Sequence, residues 1–178
     1  SKIDLKPLAP VFFLIAFRKY LRDQNWFVNE NIKEPNLANY LDLVAVGTVS
    51  DLVPLDRVNR TLVHQGIKRI QNNHCRQGLK ALVDICGLDR KYFSAQDIGY
   101  RIAPYLNAAG RLDDMSIGIK CLISEDPKKS RDIAEQLEQL NIKRKNIQQT
   151  MQNEANSEVD KLIENQESDL PPVICLFK

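Results

Sequence analysis

The sequence has no concentration of cysteine and no large excess of charge of either sign. Its four cysteines, at positions 75, 86, 121 and 175, include no CxxC pair. Neither a zinc knuckle nor a disulfide framework is indicated, and free thiols in a reducing cytoplasm are the simplest interpretation. The net charge of +2 and the pI near 8.3 give no whole-chain sign of a nucleic-acid binder, although a local basic site is compatible with them.

The sequence also lacks a long hydrophobic run. The longest, LAPVFFLIAF at residues 8–17, is too short to span a bilayer and has neither the basic leader nor the cleavage site of a signal peptide. We therefore expect a buried helix there, in a soluble, cytoplasmic protein with no membrane partner. Because the chain begins without Met and ends in LPPVICLFK, we also expect it to be a piece of a longer protein.

Most of the remaining sequence shows apolar residues spaced by three and four, which predicts helices. Local start and stop signals define their ends. The first predicted helices are residues 10–23, a segment from Pro35 or Asn36 to Pro54, and a segment capped by Asn59. A short helix, LKALVDIC, is predicted to end at Gly87. The next is opened by a Ser94–Asp97 capping box and kinked at Pro104, and the last of this group is residues 116–123.

A much longer helix is predicted after Asp126 and Pro127, which form a strong helix start. The pattern continues to about Gln166 without Gly or Pro. One helix of that length is roughly 60 Å long, which predicts a strut that docks on one body and reaches toward another. Two helices broken near NIKRKN are the alternative. The terminal LPPVICLFK predicts a buried β-strand.

Asp51 is the most unusual charged residue, because it lies within the apolar stretch LDLVAVGTVSDLVPLD at residues 41–56. A carboxylate in the last turn of a helix opposes the helix dipole, and burying it unpaired is costly. One interpretation is that its side chain accepts hydrogen bonds from loop amides. The other is that it faces Mn²⁺ or Mg²⁺, which favour carboxylate oxygens. His64 and His74 are more typical of helix-surface or capping positions than of ligands, so the co-ligands of such a site would lie outside the chain.

A second unusual segment, IAPYLNAAGRLDDMSIG at residues 102–118, places Asn107 and Arg111 among small residues and before Asp113 and Asp114. Small residues allow another group to approach the backbone closely. The arginine guanidinium is suited to bidentate contact with phosphate. A local salt bridge between Arg111 and the two aspartates is the alternative.

Two stretches, YLDLVAVGTVSDLVPLDRVNRTLVHQGIKRI and RIAPYLNAAGRLDDMSIGI, together resemble the RecJ single-stranded-DNA exonucleases of the DHH phosphoesterase superfamily. The resemblance continues through GLKALVDICG and the long helix, so it covers nearly the whole chain. It implies that GTVSDLVPL is the family's fourth metal-site motif, with Asp51 as a catalytic residue that ligates a manganese pair. It also implies that Arg111 and Asn107 lie at the DNA phosphate.

The resemblance further implies a mainly α chain in three parts. Residues 1–124 would be the C-terminal helical part of an α/β DHH domain, residues 125–168 the interdomain helix, and residues 169–178 the first strand of the DHHA1 domain. The family's DxDxxG, second-motif aspartate and Asp-His-His motifs do not occur in this sequence. In the family they lie N-terminal to the matching region.

The implied activity is 5′-to-3′ hydrolysis of single-stranded DNA in repair and recombination, with two Mn²⁺ or Mg²⁺ ions. Helicase and single-strand-binding protein are candidate partners, and this chain alone is expected to be inactive. Two alternatives remain open. One is a helical scaffold that binds a partner through the apolar stripe from Ile133 to Leu162. The other is a different DHH oligonucleotidase, against which NAAGRLDDMS argues.

Overall fold

The structure is a computed structural model that describes residues 9–112, 114–164 and 173–175, and its regular elements are helices. The α-helices are α1 (Ala9–Asp23), α2 (Trp26–Asn29), α3 (Leu41–Ser50), α4 (Arg57–Gln71), α5 (Gln77–Ile85), α6 (Ala95–Asp97), α7 (Ala103–Leu112), α8 (Ser116–Ile123) and α9 (Pro127–Glu164). Short 3₁₀ helices at Leu37–Tyr40 and Arg90–Tyr92 and a π-helical segment at Ile98–Ile102 complete them.

The core lies between two layers of helices. Helices α3 and α4 pack against each other, and α5, α7 and α8 pack on the first half of α9. The π-helical segment joins the layers, because it contacts α3 on one side and continues into α7 on the other. The largest fully buried apolar side chains belong to Phe93, Ile70, Leu79, Leu82, Ile98, Ile102 and Leu137.

Two glycines bring helix backbones unusually close together. A side-chain carbon at Gly66 of α4 would collide with the carbonyl oxygen of Leu41 in α3 and lie 2.6 Å from the Cβ of Ala45. A carbon at Gly78 of α5 would collide with the backbone of Cys121 in α8. These contacts require residues without a Cβ, and they fix the approach of α3 to α4 and of α5 to α8.

Several predicted helix ends are confirmed, and one cap is wrong. The Asn36 side chain accepts a hydrogen bond from the Ala38 amide, and Gly87 ends α5 with φ of 64°. The cap of α4 is Asp56, whose carboxylate accepts from the amides of Val58 and Asn59 at 2.9 and 2.8 Å. Asn59 was the predicted cap, but it is buried inside the first turn and donates to Pro54 O at 2.7 Å.

The predicted disturbance near Pro104 is present as a π-helical segment immediately before α7. The Ala103 amide bonds to the carbonyl of Ile98, five residues earlier. Because Pro104 has no N–H to continue the regular ladder, the turn ahead of it is free to widen. The Asp97 carboxylate accepts from both the amide and the hydroxyl of Ser94 at 2.8 Å, and the predicted capping box is confirmed.

Helix α9 is unbroken over 38 residues, about 57 Å at 1.5 Å per residue. The alternative of two helices broken near NIKRKN is wrong. The buried residues of α9, from Ser130 to Asn141, all lie in its first half, whereas Ile147 and Met151 further along are exposed. The stripe that a helical scaffold would use is therefore partly occupied by this chain's own core.

Helix α1 is a helix as predicted, but the prediction that it is buried is wrong for the described residues. Phe13 is 64% exposed and Tyr20 61% exposed. The helix contacts α2, and Arg22 pairs with Glu34 in the following segment. Its local sequence forms the helix, whereas burial requires a facing surface that the described residues do not provide. No described helix is both long and apolar enough to cross a membrane.

The predicted terminal β-strand is not found. Val173–Cys175 have no regular secondary structure, and the other residues of the predicted strand lie outside those described. A strand is defined by hydrogen bonds to a neighbouring strand. The described residues include no such neighbour for this segment.

Candidate metal and phosphate site

The backbone at the end of α3 fixes the position of Asp51. The Leu52 and Val53 amides donate to the carbonyls of Val49 and Thr48 at 3.2 and 3.1 Å, and the Asp51 amide donates to Gly47 O at 3.1 Å. This is a Schellman motif, in which the residue after the cap adopts a left-handed conformation. Asp51 is the cap, and Leu52 has φ of 54°.

The Asp51 side chain is exposed, and it makes no hydrogen bond or ion pair with the described residues. The interpretation in which it accepts hydrogen bonds from loop amides is therefore not supported. That role belongs to Asp56, which caps α4. The Schellman hydrogen bonds already occupy the carbonyls of Gly47, Thr48 and Val49. The carboxylate is thus a charged group that this helix end can offer to a cation.

The hydroxyls of Thr48 and Ser50, close to Asp51 in the chain, are buried and find no hydrogen-bond partner among the described residues. Hydroxyls on a helix commonly bond to a carbonyl one turn earlier. Unpaired buried hydroxyls are uncommon in folded proteins.

The buried carboxylate of this stretch is Asp42, which the sequence analysis did not single out. Its side chain is fully buried and accepts from its neighbour Leu43 N and from Arg76 N, both at 2.9 Å. Arg76 is the cap of α5, so Asp42 ties the start of α3 to the start of α5. A signal was present in the sequence, because Asp42 shares a helix face with the apolar residues Ala45 and Val46.

Asn107 and Arg111 lie on α7 four residues apart, so their side chains occupy the same face of the helix. Both are exposed. Arg111 forms no ion pair with a described residue, and Asp113 lies outside the described residues. Asp114 accepts from the hydroxyl and the amide of Ser116, and these hydrogen bonds lower the pKa of its carboxyl group.

No hydrogen bond or ion pair connects Asp51 with Asn107 or Arg111 among the described residues. Across the same residues, no group of three or more His, Cys, Asp or Glu side chains could hold a metal ion. His64 and His74 are exposed, as predicted. A free, exposed carboxylate suits a hard cation as one ligand, and the remaining ligands would have to come from elsewhere.

No family model matches this chain. The chain is 46% identical over 166 residues to the single-stranded-DNA-specific exonuclease RecJ of Escherichia coli, a match that covers 93% of this chain and 29% of that protein. It is 33% identical over 126 residues to RecJ of Thermus thermophilus, covering 71% of this chain and 18% of the relative. The chain therefore spans less than a third of the length of these relatives.

Solved structures give the same relationship. The crystal structure of RecJ from Thermus thermophilus in complex with Mg²⁺ superimposes with a TM-score of 0.62 at 30% identity, covering 72% of this chain and 20% of that one. A structure of exonuclease RecJ bound to manganese gives the same score and identity and covers 32% of that chain. This chain is therefore homologous to the RecJ single-stranded-DNA-specific exonucleases, and it corresponds to a limited region of them.

Proposed function

We propose that this chain is part of an Mn²⁺- or Mg²⁺-dependent exonuclease that degrades single-stranded DNA from 5′ to 3′ during DNA repair and recombination in the cytoplasm. The observation that carries the proposal is the exposed carboxylate of Asp51, which has no partner among the described residues and stands at a fixed helix end. The 46% identity to RecJ over 93% of the chain supports the family assignment. The solved relatives with Mg²⁺ and Mn²⁺ support the choice of cation.

In this proposal Asp51 is one ligand of a two-metal site whose other ligands lie outside this chain. Bound metal ions would supply an activated water and stabilise charge at the scissile phosphate. The Schellman motif holds the Asp51 backbone in one place, so its carboxylate approaches the site without a large loss of conformational freedom.

The proposed role of Arg111 and Asn107 is to contact the DNA phosphate. A guanidinium presents paired N–H donors that match two phosphate oxygens, and Asn107 adds an amide donor on the same helix face. Both side chains are exposed and therefore accessible to DNA. Residues 1–124, 125–168 and 169–178 would be the DHH part, the connecting helix and the first DHHA1 strand. Helicase and single-strand-binding protein remain candidate partners.

The test uses the longer RecJ-type polypeptide to which we propose this chain belongs. Replacing Asp51 by Ala should lower the rate of single-stranded-DNA hydrolysis at least about 100-fold and weaken Mn²⁺ binding, because one metal ligand is lost. Asp132→Ala, which removes an exposed carboxylate of α9, is the matched control and should leave both unchanged. A fully active Asp51→Ala enzyme would exclude the ligand assignment.

The phosphate role is tested in the same polypeptide. Arg111→Ala should slow hydrolysis without weakening Mn²⁺ binding, and Arg111→Lys should restore only part of the rate because lysine cannot form the bidentate contact. The 178-residue chain should not cleave labelled single-stranded DNA in the presence of Mn²⁺. Clear cleavage by this chain alone would mean that it contains a complete site.

A further inference from the structure

Leu52 is the unusual residue at the end of α3. The residue after the helix cap has positive φ at five helix ends in the described chain, where it is Asn25, Asn31, Leu52, Asn73 or Gly87, with φ between 53° and 64°. Glycine and asparagine are common in this conformation. Leucine is not, because its Cβ crowds the following carbonyl and its side chain offers no compensating hydrogen bond.

The backbone hydrogen bonds of the Schellman motif favour this conformation, but burial of the Leu52 side chain among the described residues does not. The Leu52 side chain is 88% exposed, the highest value among the exposed large apolar residues. Glycine or asparagine would support the same hydrogen bonds to Val49 and Thr48, since only backbone atoms take part. Non-glycine residues held in such conformations tend to occur where the side chain has a function.

The geometry of metal coordination indicates which surface the Leu52 side chain contacts. This step rests on the proposed function, in which Asp51 shares a metal ion with ligands outside this chain. Oxygen ligands lie about 2.1 Å from Mg²⁺, so two ligands of one ion are within roughly 4 Å of each other. Leu52 is the next residue, with its Cα about 3.8 Å from that of Asp51. A surface that carries the co-ligands therefore lies within reach of the Leu52 side chain.

The residues that follow Leu52 in the sequence have matching character. Leu55 is 41% exposed and Val58 is 48% exposed, so exposed apolar residues follow Asp51 through the turn and into the start of α4. We name Leu52, Leu55 and Val58 the apolar rim. A partner that fits the apolar rim carries acidic metal ligands beside an apolar surface, because the rim and the Asp51 carboxylate would be covered together.

We propose that Leu52 is an anchoring residue, which packs into the body that carries the other metal ligands and so positions Asp51 at the ion. In this arrangement the strained backbone is maintained because it directs a large apolar side chain outward next to the ligand. Leu52 itself is a positioning residue and does not touch the metal or the DNA.

The test separates backbone from side chain. In the 178-residue chain, Leu52→Gly should raise Tm by about 2 °C, because strain is relieved and no contact is lost. In the longer RecJ-type polypeptide the same substitution should give no such rise in Tm, because the anchoring contact is lost. It should also weaken Mn²⁺ binding about tenfold, measured by titration without DNA. Leu52→Asn should also weaken binding. Asn73→Gly, at the equivalent position after α4, is the control and should not change Mn²⁺ affinity.

Two results would overturn the proposal. One is wild-type Mn²⁺ affinity in Leu52→Gly, and the other is the same rise in Tm in the chain and in the longer polypeptide. Asp51→Ala in the same titration distinguishes this failure from failure of the proposed function. If Asp51→Ala weakens Mn²⁺ binding and Leu52→Gly does not, the anchoring role alone is wrong. If neither weakens it, the metal-ligand assignment is wrong as well.

Discussion

Asp42 and Asp51 belong to the same apolar stretch and have opposite environments. Asp42 is fully buried and accepts hydrogen bonds from two backbone amides, whereas Asp51 is exposed at the helix end. A buried carboxylate must be hydrogen-bonded to be tolerated. An exposed one is solvated and contributes little to stability. The first aspartate therefore stabilises the fold, and the second contributes little to it.

This contrast gives a stability prediction at the residue scale. Asp42→Ala should lower the free energy of unfolding by about 2 kcal/mol, because the partly buried Arg76 amide loses its acceptor. Asp51→Ala should change it by less than about 0.5 kcal/mol. Urea denaturation of the two variants checks this. A large loss of stability in Asp51→Ala would mean that its effect on catalysis could not be attributed to metal binding.

At the scale of elements, the contact between α3 and α4 depends on the absence of a side chain. Gly66→Ala should destabilise the protein by about 3 kcal/mol, since the added carbon meets the backbone of α3 and cannot be accommodated by a rotamer change. Gly47→Ala in α3 is the matched control, because nothing lies within 4 Å of the added carbon. It should stabilise the helix by up to about 1 kcal/mol. Thermal unfolding followed by circular dichroism measures both.

Helix α9 provides a second test at this scale, because its two halves have different surroundings. Leu137 is fully buried against the body, and Met151 is 64% exposed. Leu137→Ala should lower the free energy of unfolding by roughly 2–5 kcal/mol through loss of packing and creation of a cavity. Met151→Ala should change it by less than about 0.5 kcal/mol. Equal effects would show that the distal half packs on this body in solution.

For the whole molecule, the buried thiols predict loss of stability at alkaline pH. Burial raises the pKa of the Cys121 thiol from 9.0 to about 11, and burial likewise raises the pKa of Cys75 and Cys86. Below pH 9 the Cys121 thiol is protonated in both states, so its contribution is complete. Between pH 9 and 11 the unfolded chain releases this proton while the folded chain keeps it, so stability falls.

The measurement is the free energy of unfolding against pH. Cys121→Ala should make the decline between pH 9 and 11 shallower, although Cys75 and Cys86 still contribute. Cys175 is exposed, and Cys175→Ala controls for removal of a thiol as such. Burial also raises the pKa of Tyr105 to about 12, which adds a further loss above pH 10. An unchanged slope in Cys121→Ala would contradict the assignment.

Much of the helical organisation was predictable from local chemistry. Helix α8 begins and ends at the predicted residues, Gly87 ends α5, and Asp126 caps α9 through the amides of Lys128 and Lys129. The error at Asn59 is equally local, because Asp56, three residues earlier, already caps the helix through the Val58 and Asn59 amides and leaves Asn59 inside the first turn. Caps, prolines and glycines act on backbone groups within one turn, so the sequence alone exposes them.

The sequence by itself determined the helices, the position of Asp51 at a helix end, and the residues that identify RecJ homology. Only the tertiary structure decided that Asp42 is buried while Asp51 is exposed, that α1 leaves its apolar residues uncovered among those described, and that α9 docks through its first half. The physical reason is the distance along the chain over which each interaction acts. Helix formation depends on neighbours one turn away, whereas burial depends on which distant segments fold against a given face.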